Sequence, residues 1–290
     1  METITRDAIP AVRKMQATAR DTFAVCTMSE FATLAETSGK ALPARRDKVS
    51  GNWYGNKTYA TSLAQMRDGD MSGVAASDKI MDAIEFDAPM TQAWRNTMDV
   101  VGGVPNVPAF LAGHPQCMRR RERVASEQAP LAIFVSLELS ANISVDVMRK
   151  RGVALLALVR RLSNVRPVEL LVCCSVGNDA QAAHVVVRVD TSPLDLARAA
   201  HLLTCPSVTR GLGYVTCAAL LKKHLGKSWS GDWAYGNCSL YRDNAKAIFA
   251  SVAPPSSDVL YVPAAHGSDK AVTNPTQWMA DMIAQYGGAL

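Results

Sequence analysis

The sequence predicts an α/β protein: a three-layer α/β sandwich in the second half, preceded by a mainly helical region. Three observations carry that expectation. Apolar runs at Leu131–Leu139, Val168–Val176 and His184–Val189 read as buried strands. Between the first two, Val145, Met148, Gly152, Leu155, Leu156, Val159 and Leu162 recur at spacings of three and four, the stripe of a helix packed on a sheet. The pattern then runs helix, helix, strand, helix, and such alternation is what a sheet covered by helices requires.

Taken in order, Ile9–Ala19 and Asp21–Thr37 have helical apolar spacing, with Asp21 as candidate N-cap and Phe23, Val25, Phe31 and Leu34 on the buried face. A basic loop through Asn52, Gly55 and Asn56 follows. Tyr59–Met66 and Val74–Ile84 read as short helices, separated by Gly69-Asp70-Met71-Ser72-Gly73. In Val101–Met118, three prolines exclude a continuous helix, and the segment is expected to pack as an ordered, extended connector. An N-terminal helical region is therefore expected over 1–118 and the α/β domain over 119–290. There the strands at 168–176 and 184–189 are joined through Gly177-Asn178-Asp179 and form an antiparallel hairpin. Pro193–Leu203 takes Ser192 as N-cap and Pro193 at the first helical position. Thr216–Leu225 is a helix ending at Gly226, and Asp258–Pro263 a late strand. Asn274-Pro275 opens a final helix carrying Trp278, Met279, Met282, Ile283 and Tyr286.

With 48% hydrophobic and 20% charged residues in 290 and a mean hydropathy near zero, the composition excludes disordered, fibrous and membrane classes. No apolar run approaches the roughly 18–20 residues of a membrane span, and no signal-peptide pattern opens the chain, so a cytoplasmic location is expected. The seven cysteines form no Cys-x-x-Cys pair and read as reduced thiols filling core space. A net charge of +5 permits a polyanionic partner without demanding one. Its distribution says more. Basic residues cluster at Arg45, Arg46, Lys48 and Lys57; at Arg119, Arg120, Arg121 and Arg123; at Arg149-Lys150-Arg151 and Arg160-Arg161; and at Lys222, Lys223 and Lys227. Trp53 and Tyr54 interleave the first cluster, and Trp229, Trp233, Tyr235 and Tyr241 follow the last. Cations and rings on Gly-rich loops build sequence-tolerant single-strand sites, with cations on phosphates and rings stacked on bases. The competing reading makes these rings core anchors and the charges a solvated face.

The strongest local signal lies where the first apolar strand ends, in Glu138-Leu139-Ser140-Ala141-Asn142 followed by Ser144, at the mouth where open α/β sheets bind ligands. These residues resemble the metal motif of von Willebrand factor A-type domains, and the element order resembles that family over roughly 129–290. The resemblance implies a von Willebrand A-like, Rossmann-like sandwich. It sets Glu138 in place of the motif's Asp, keeps Ser140, puts Asn142 for the second Ser and offers Thr209 as the loop Thr, while Ala264 and Ala265 stand where the late-strand acid belongs. A hard cation wants closely placed oxygen ligands, so the expectation is a scaffold without metal or other cofactor. The segments NWYGNKTYATSLAQMRDGD and GGVPNVPAFLAGHPQCM are similar to uncharacterised proteins of tailed bacteriophages and mobile elements, which implies a bacterial host cell and nucleic-acid or host-protein transactions.

Other motifs fail. Gly226-Lys227-Ser228 lacks the P-loop's first glycine, since Leu221 stands there. No Gly-x-Ser-x-Gly elbow occurs, and the five histidines lack metalloprotease or zinc-finger spacing. The sequence thus predicts a non-enzymatic accessory protein that binds nucleic acid, in particular single-stranded DNA, through Arg45, Arg46, Lys48, Trp53, Tyr54, Lys57, Arg119, Arg120, Arg121, Lys227 and Trp229. The alternative is a protein-binding or self-assembling adaptor that uses the rim at Glu138, Ser140, Asn142 and Thr209.

Overall fold

The computed structural model describes residues 2–5, 20–83, 94–101, 104–123, 130–163, 166–178, 181–191, 193–225, 258–265 and 267–287. Among them the strands are β1 (Glu2–Thr5), β2 (Arg20–Thr27), β3 (Trp94–Asp99), β4 (Val104–Pro105), β5 (Met118–Arg123), β6 (Leu131–Ser136), β7 (Val168–Asn178), β8 (Gln181–Val189) and β9 (Asp258–Val262). The α-helices are α1 (Met28–Ala41), α2 (Pro43–Arg46), α3 (Tyr59–Asp68), α4 (Ser72–Ala83), α5 (Val107–Leu111), α6 (Val145–Ser163), α7 (Leu196–Thr204), α8 (Tyr214–Leu225), α9 (Lys270–Thr273) and α10 (Pro275–Gly287). The protein is a mixed α/β structure. Its main sheet has the order β1-β2-β8-β7-β6-β9, and β3-β5-β4 form a separate three-stranded antiparallel ribbon.

Within the main sheet, β6 runs parallel to β7 and to β9, as the crossover through α6 requires. The expected hairpin is present, β7 pairing antiparallel with β8 out to Asn178 and Gln181. Ile133, Val135, Val172, Cys174, Val185, Val187 and Leu260 occupy alternate strand positions and share one core with the helices α1, α6, α7, α8 and α10. The described helices thus supply one helical layer over one face of the sheet. Leu155, Leu156, Leu158 and Leu162 of α6 are wholly buried there, each contributing about 1.5–3 kcal/mol of transfer free energy. Gly152 lets α6 approach α7: a Cβ at that position would lie 2.2 Å from the Leu203 carbonyl oxygen.

Three expected elements are corrected. Asp21–Thr37 is not one helix, because Arg20–Thr27 forms β2, parallel to β8, and the helix begins only at Met28. The alternation through Thr22, Phe23 and Val25 is a strand pattern. The true start signal is a capping box, with the Thr27 hydroxyl accepting from the Glu30 N–H and Glu30 Oε2 accepting from the Thr27 N–H. The helix placed at Pro193–Leu203 starts at Leu196, capped by Asp195, whose carboxylate accepts from the Arg198 N–H. Ile9–Ala19 lies outside the described residues. The segment 101–118 holds β4 and the short α5 in place of a uniformly extended connector. The division at 118/119 falls inside β5, and residues from both sides of it, Phe31 and Met66 with Leu155 and Val172, share one core.

Candidate functional site

The mouth of the sheet, at the carboxyl end of β6, is built around the loop 51–56. Gly51, Gly55 and Asn56 adopt left-handed backbone, at φ of 80°, 74° and 58°, which wraps Asn52–Tyr54 into one 3₁₀ turn. Gly55 is buried, with Arg149 Nη2 3.2 Å from where a Cβ would stand. The turn carries Trp53 onto the mouth. Its indole Nε1 donates to the Ala141 carbonyl at 3.3 Å. Arg210 lies over the ring at 4.5 Å and donates to the carbonyls of Trp53, at 3.0 Å, and Ile143, at 2.8 Å. Tyr54 packs edge-on against the same ring at 4.8 Å. Arg210 comes from a π-helical stretch, Val208–Gly213, between α7 and α8 and is buried. Burial lowers its pKa, yet a guanidinium remains charged at neutral pH.

A second guanidinium sits deeper. Arg151 of α6 donates through Nη2 to the carbonyls of Ser136 and Pro263, both at 3.0 Å, at the ends of β6 and β9. The positive charge at this mouth is supplied by the chain itself. Of the four expected rim residues, Glu138 and Thr209 are buried, Ser140 is half-buried and Asn142 is exposed, so they do not form one open ligand set. Glu138 turns inward. Burial pushes its carboxyl up to about 7, against hydrogen bonds from the hydroxyl and backbone N–H of Ser175, and its Oε1 has no partner. Ser175 Oγ in turn shares a 2.8 Å hydrogen bond with Nδ1 of His184, whose pKa burial pushes down to about 3. A carboxyl favoured neutral, a buried threonine and two alanines do not fit a divalent cation. Among the described residues, no group of three His, Cys, Asp or Glu side chains could hold one.

The expected nucleic-acid residues separate. Lys57 Nζ is held by Gln65 Oε1 at 2.6 Å and Asp70 Oδ2 at 2.7 Å. Arg46 pairs with Asp47 at 2.7 Å, Arg45 is half-buried and Lys48 is exposed. Trp53 and Tyr54 are half-buried, packed against the core. Lys227 and Trp229, with Trp233, Tyr235 and Tyr241, lie outside the described residues. Arg119, Arg120 and Arg121 lie in β5, where the register pairs Arg119, Arg121 and Arg123 with Met98, Asn96 and Trp94 of β3. These are alternate positions, the ones that share a face of a ribbon. Arg120 and Glu122 take the intervening positions. Neither Trp94 nor the pairing stands out in the sequence, because Met-Arg-Arg-Arg-Glu-Arg lacks the apolar alternation by which strands are recognised.

The fold and its mouth define an α/β protein in which the mouth of the main sheet is occupied by its own loop and arginines, joined to a small antiparallel ribbon rich in arginine. The chain belongs to the family described as "Domain of unknown function (DUF7192)", whose model matches residues 17–262, from β2 through β9. No curated protein and no solved structure matches it.

Proposed function

We propose that this is a non-enzymatic accessory protein that binds single-stranded DNA, with the ribbon β3-β5-β4 as its platform. One observation carries the reading: Arg119, Arg121 and Arg123 alternate along β5 in register with Met98, Asn96 and Trp94. In that register every second position of β5 from 119 to 123 is an arginine, about 6.8 Å apart along the strand at twice its rise, and the last of them pairs with Trp94. Phosphates bound by cations and bases stacked on rings need only this much order to bind a strand without reading its sequence. Lys48 is exposed, whereas Lys57 and Trp53 are engaged elsewhere. We further read the succession β6, α6, β7-β8, α7, α8, β9 as a von Willebrand A-like sandwich that has lost its metal, working in the cytoplasm of a bacterium and of phage or mobile-element origin.

An adaptor role is the second reading, and one observation favours it. In α5, which links β4 to β5, Phe110 is 66% and Leu111 78% exposed, and clustered apolar exposure of this kind suits a protein partner.

Titrating fluorescein-labelled oligo-dT at about 50 and about 200 mM salt tests the first reading. The expected result is a steep loss of affinity with salt, and the triple change Arg119→Ala, Arg121→Ala, Arg123→Ala should reduce the slope of log K on log salt by about 2. Absence of binding at the lower salt overturns it, and binding lost instead on Phe110→Ser of a partner-dependent complex favours the adaptor.

A further inference from the structure

A different cluster stands where α7 ends. Cys205 is the C-cap of α7, in extended backbone (φ −94°, ψ 116°), and its carbonyl accepts from the Val208 N–H at 3.0 Å. From Pro206 the chain is helical again, through the π stretch into α8 as far as Leu225. The thiol therefore sits at the N-terminal, positive end of a long helical run. Around it are side chains from three other elements. Ser207 Oγ lies 3.1 Å from the sulfur. His201, one turn back on α7, is buried, and its Nε2 is engaged by Ser62 of α3, the carbonyl at 3.1 Å and the hydroxyl at 3.4 Å. That leaves Nδ1, which makes no hydrogen bond of ordinary geometry, for Asp70 Oδ2 at 3.7 Å and the Cys205 thiol. Asp70 is held by Lys57 and by the Ser72 N–H.

We propose that Cys205 is a modification site, a thiolate stabilised by this cluster that attacks a small hydroperoxide and becomes the sulfenic acid. A sulfur lone pair forms the S–O bond to one peroxide oxygen as the O–O bond breaks. Sulfur gives up two electrons, the peroxide accepts them, and the leaving hydroxide, or alkoxide from an organic hydroperoxide, takes a proton from solvent and departs as water or the alcohol. The charges facing the thiol are those of His201, Asp70 and Lys57. Burial, the largest single influence, raises the thiol pKa, but the His201 ring through hydrogen bonding and charge, the Ser207 hydroxyl and the Lys57 charge outweigh it and bring it to about 7. The other core thiols are the reverse case. Burial pushes Cys26 up to about 12 and likewise raises Cys173, Cys174 and Cys217, and none of these has a cation beside it that prevails. Low pKa together with a neighbouring imidazole is the setting in which a cysteine reacts.

The test uses the reduced full-length protein, pulsed with hydrogen peroxide in the presence of dimedone across about pH 5 to about pH 9, with peptide mass spectrometry to place the adduct. Cys205 is expected to trap first among the core thiols, with a rate half-maximal near pH 7 and flat above it. His201→Gln should cut the rate at pH 7 by about fivefold, the fall in thiolate fraction when the pKa rises one unit from about 7. If that variant melts early, the pH profile of the unaltered protein decides alone. Label confined to Cys117, or a Cys205 rate still rising beyond about pH 8.5 as for a free thiol, overturns the proposal.

Discussion

The loop at 45–57 and the ribbon at 94–123 both combine cations with tryptophan, and the protein uses them in opposite ways. In the loop, left-handed turns at Gly51 and Gly55 fold Trp53 onto Ala141 and beneath Arg210, and Lys57 is tied to Asp70. In the ribbon, strand register sets Arg119, Arg121 and Arg123 at alternate positions, opposite Met98, Asn96 and Trp94 in turn. A ring with a buried guanidinium across it has one face less to offer a base. The lesson is that a cation-and-aromatic cluster is a composition; whether it closes a core or meets a ligand depends on backbone geometry.

The contrast breaks most visibly at Arg151. Arg151→Met removes the donor from two carbonyls at the ends of β6 and β9 and should cost about 3 kcal/mol or more in urea unfolding, while leaving oligonucleotide affinity untouched if the ribbon binds it. Glu138 gives the next largest effect. Its folded pKa, about 7, lies above the ordinary 4.5, so the stability it lends is complete below about pH 4.5 and disappears as pH rises through 7, a change of up to about 3 kcal/mol. Glu138→Gln should flatten that part of the stability profile and make the protein more stable than the unaltered one at about pH 8. Trp53→Ala is the sharpest discriminator though a smaller effect. A destabilisation of about 2 kcal/mol with unchanged DNA affinity marks the ring as an anchor, and weakened binding with unchanged stability returns the loop to the binding surface.

Much of the architecture could be read from the chain. The amphipathic stripe of α6, the hairpin β7-β8, the late strand β9 and the opening of α10 at Asn274, whose side chain accepts from the Gln277 N–H, follow from period and capping chemistry. The elements that escaped are those whose identity is set at a distance. β2 becomes a strand because β8 offers it an edge, and a helical spacing through the same residues is otherwise equally legible. Arg210 drew no notice because the π stretch that delivers it to Trp53 has no local signature. Glu138 lies just past the end of β6, and that it turns toward Ser175 and away from solvent depends on a partner strand. The cysteines read as filler, and for Cys26, Cys174 and Cys217 the core bears that out. Cys205 differs through His201 one turn before it and through Lys57, which is far away in sequence.

The parallel pairing of β2 with β8 has a consequence for how the molecule comes into being. Cys26 meets Val186 across 160 residues, so the segment made first must wait for its neighbour until most of the chain has been translated. At about 5–20 residues per second, that interval is on the order of ten to thirty seconds. Throughout it, the nascent strand carries an unmatched hydrogen-bonding edge, the kind of exposed edge that invites wrong pairing during synthesis.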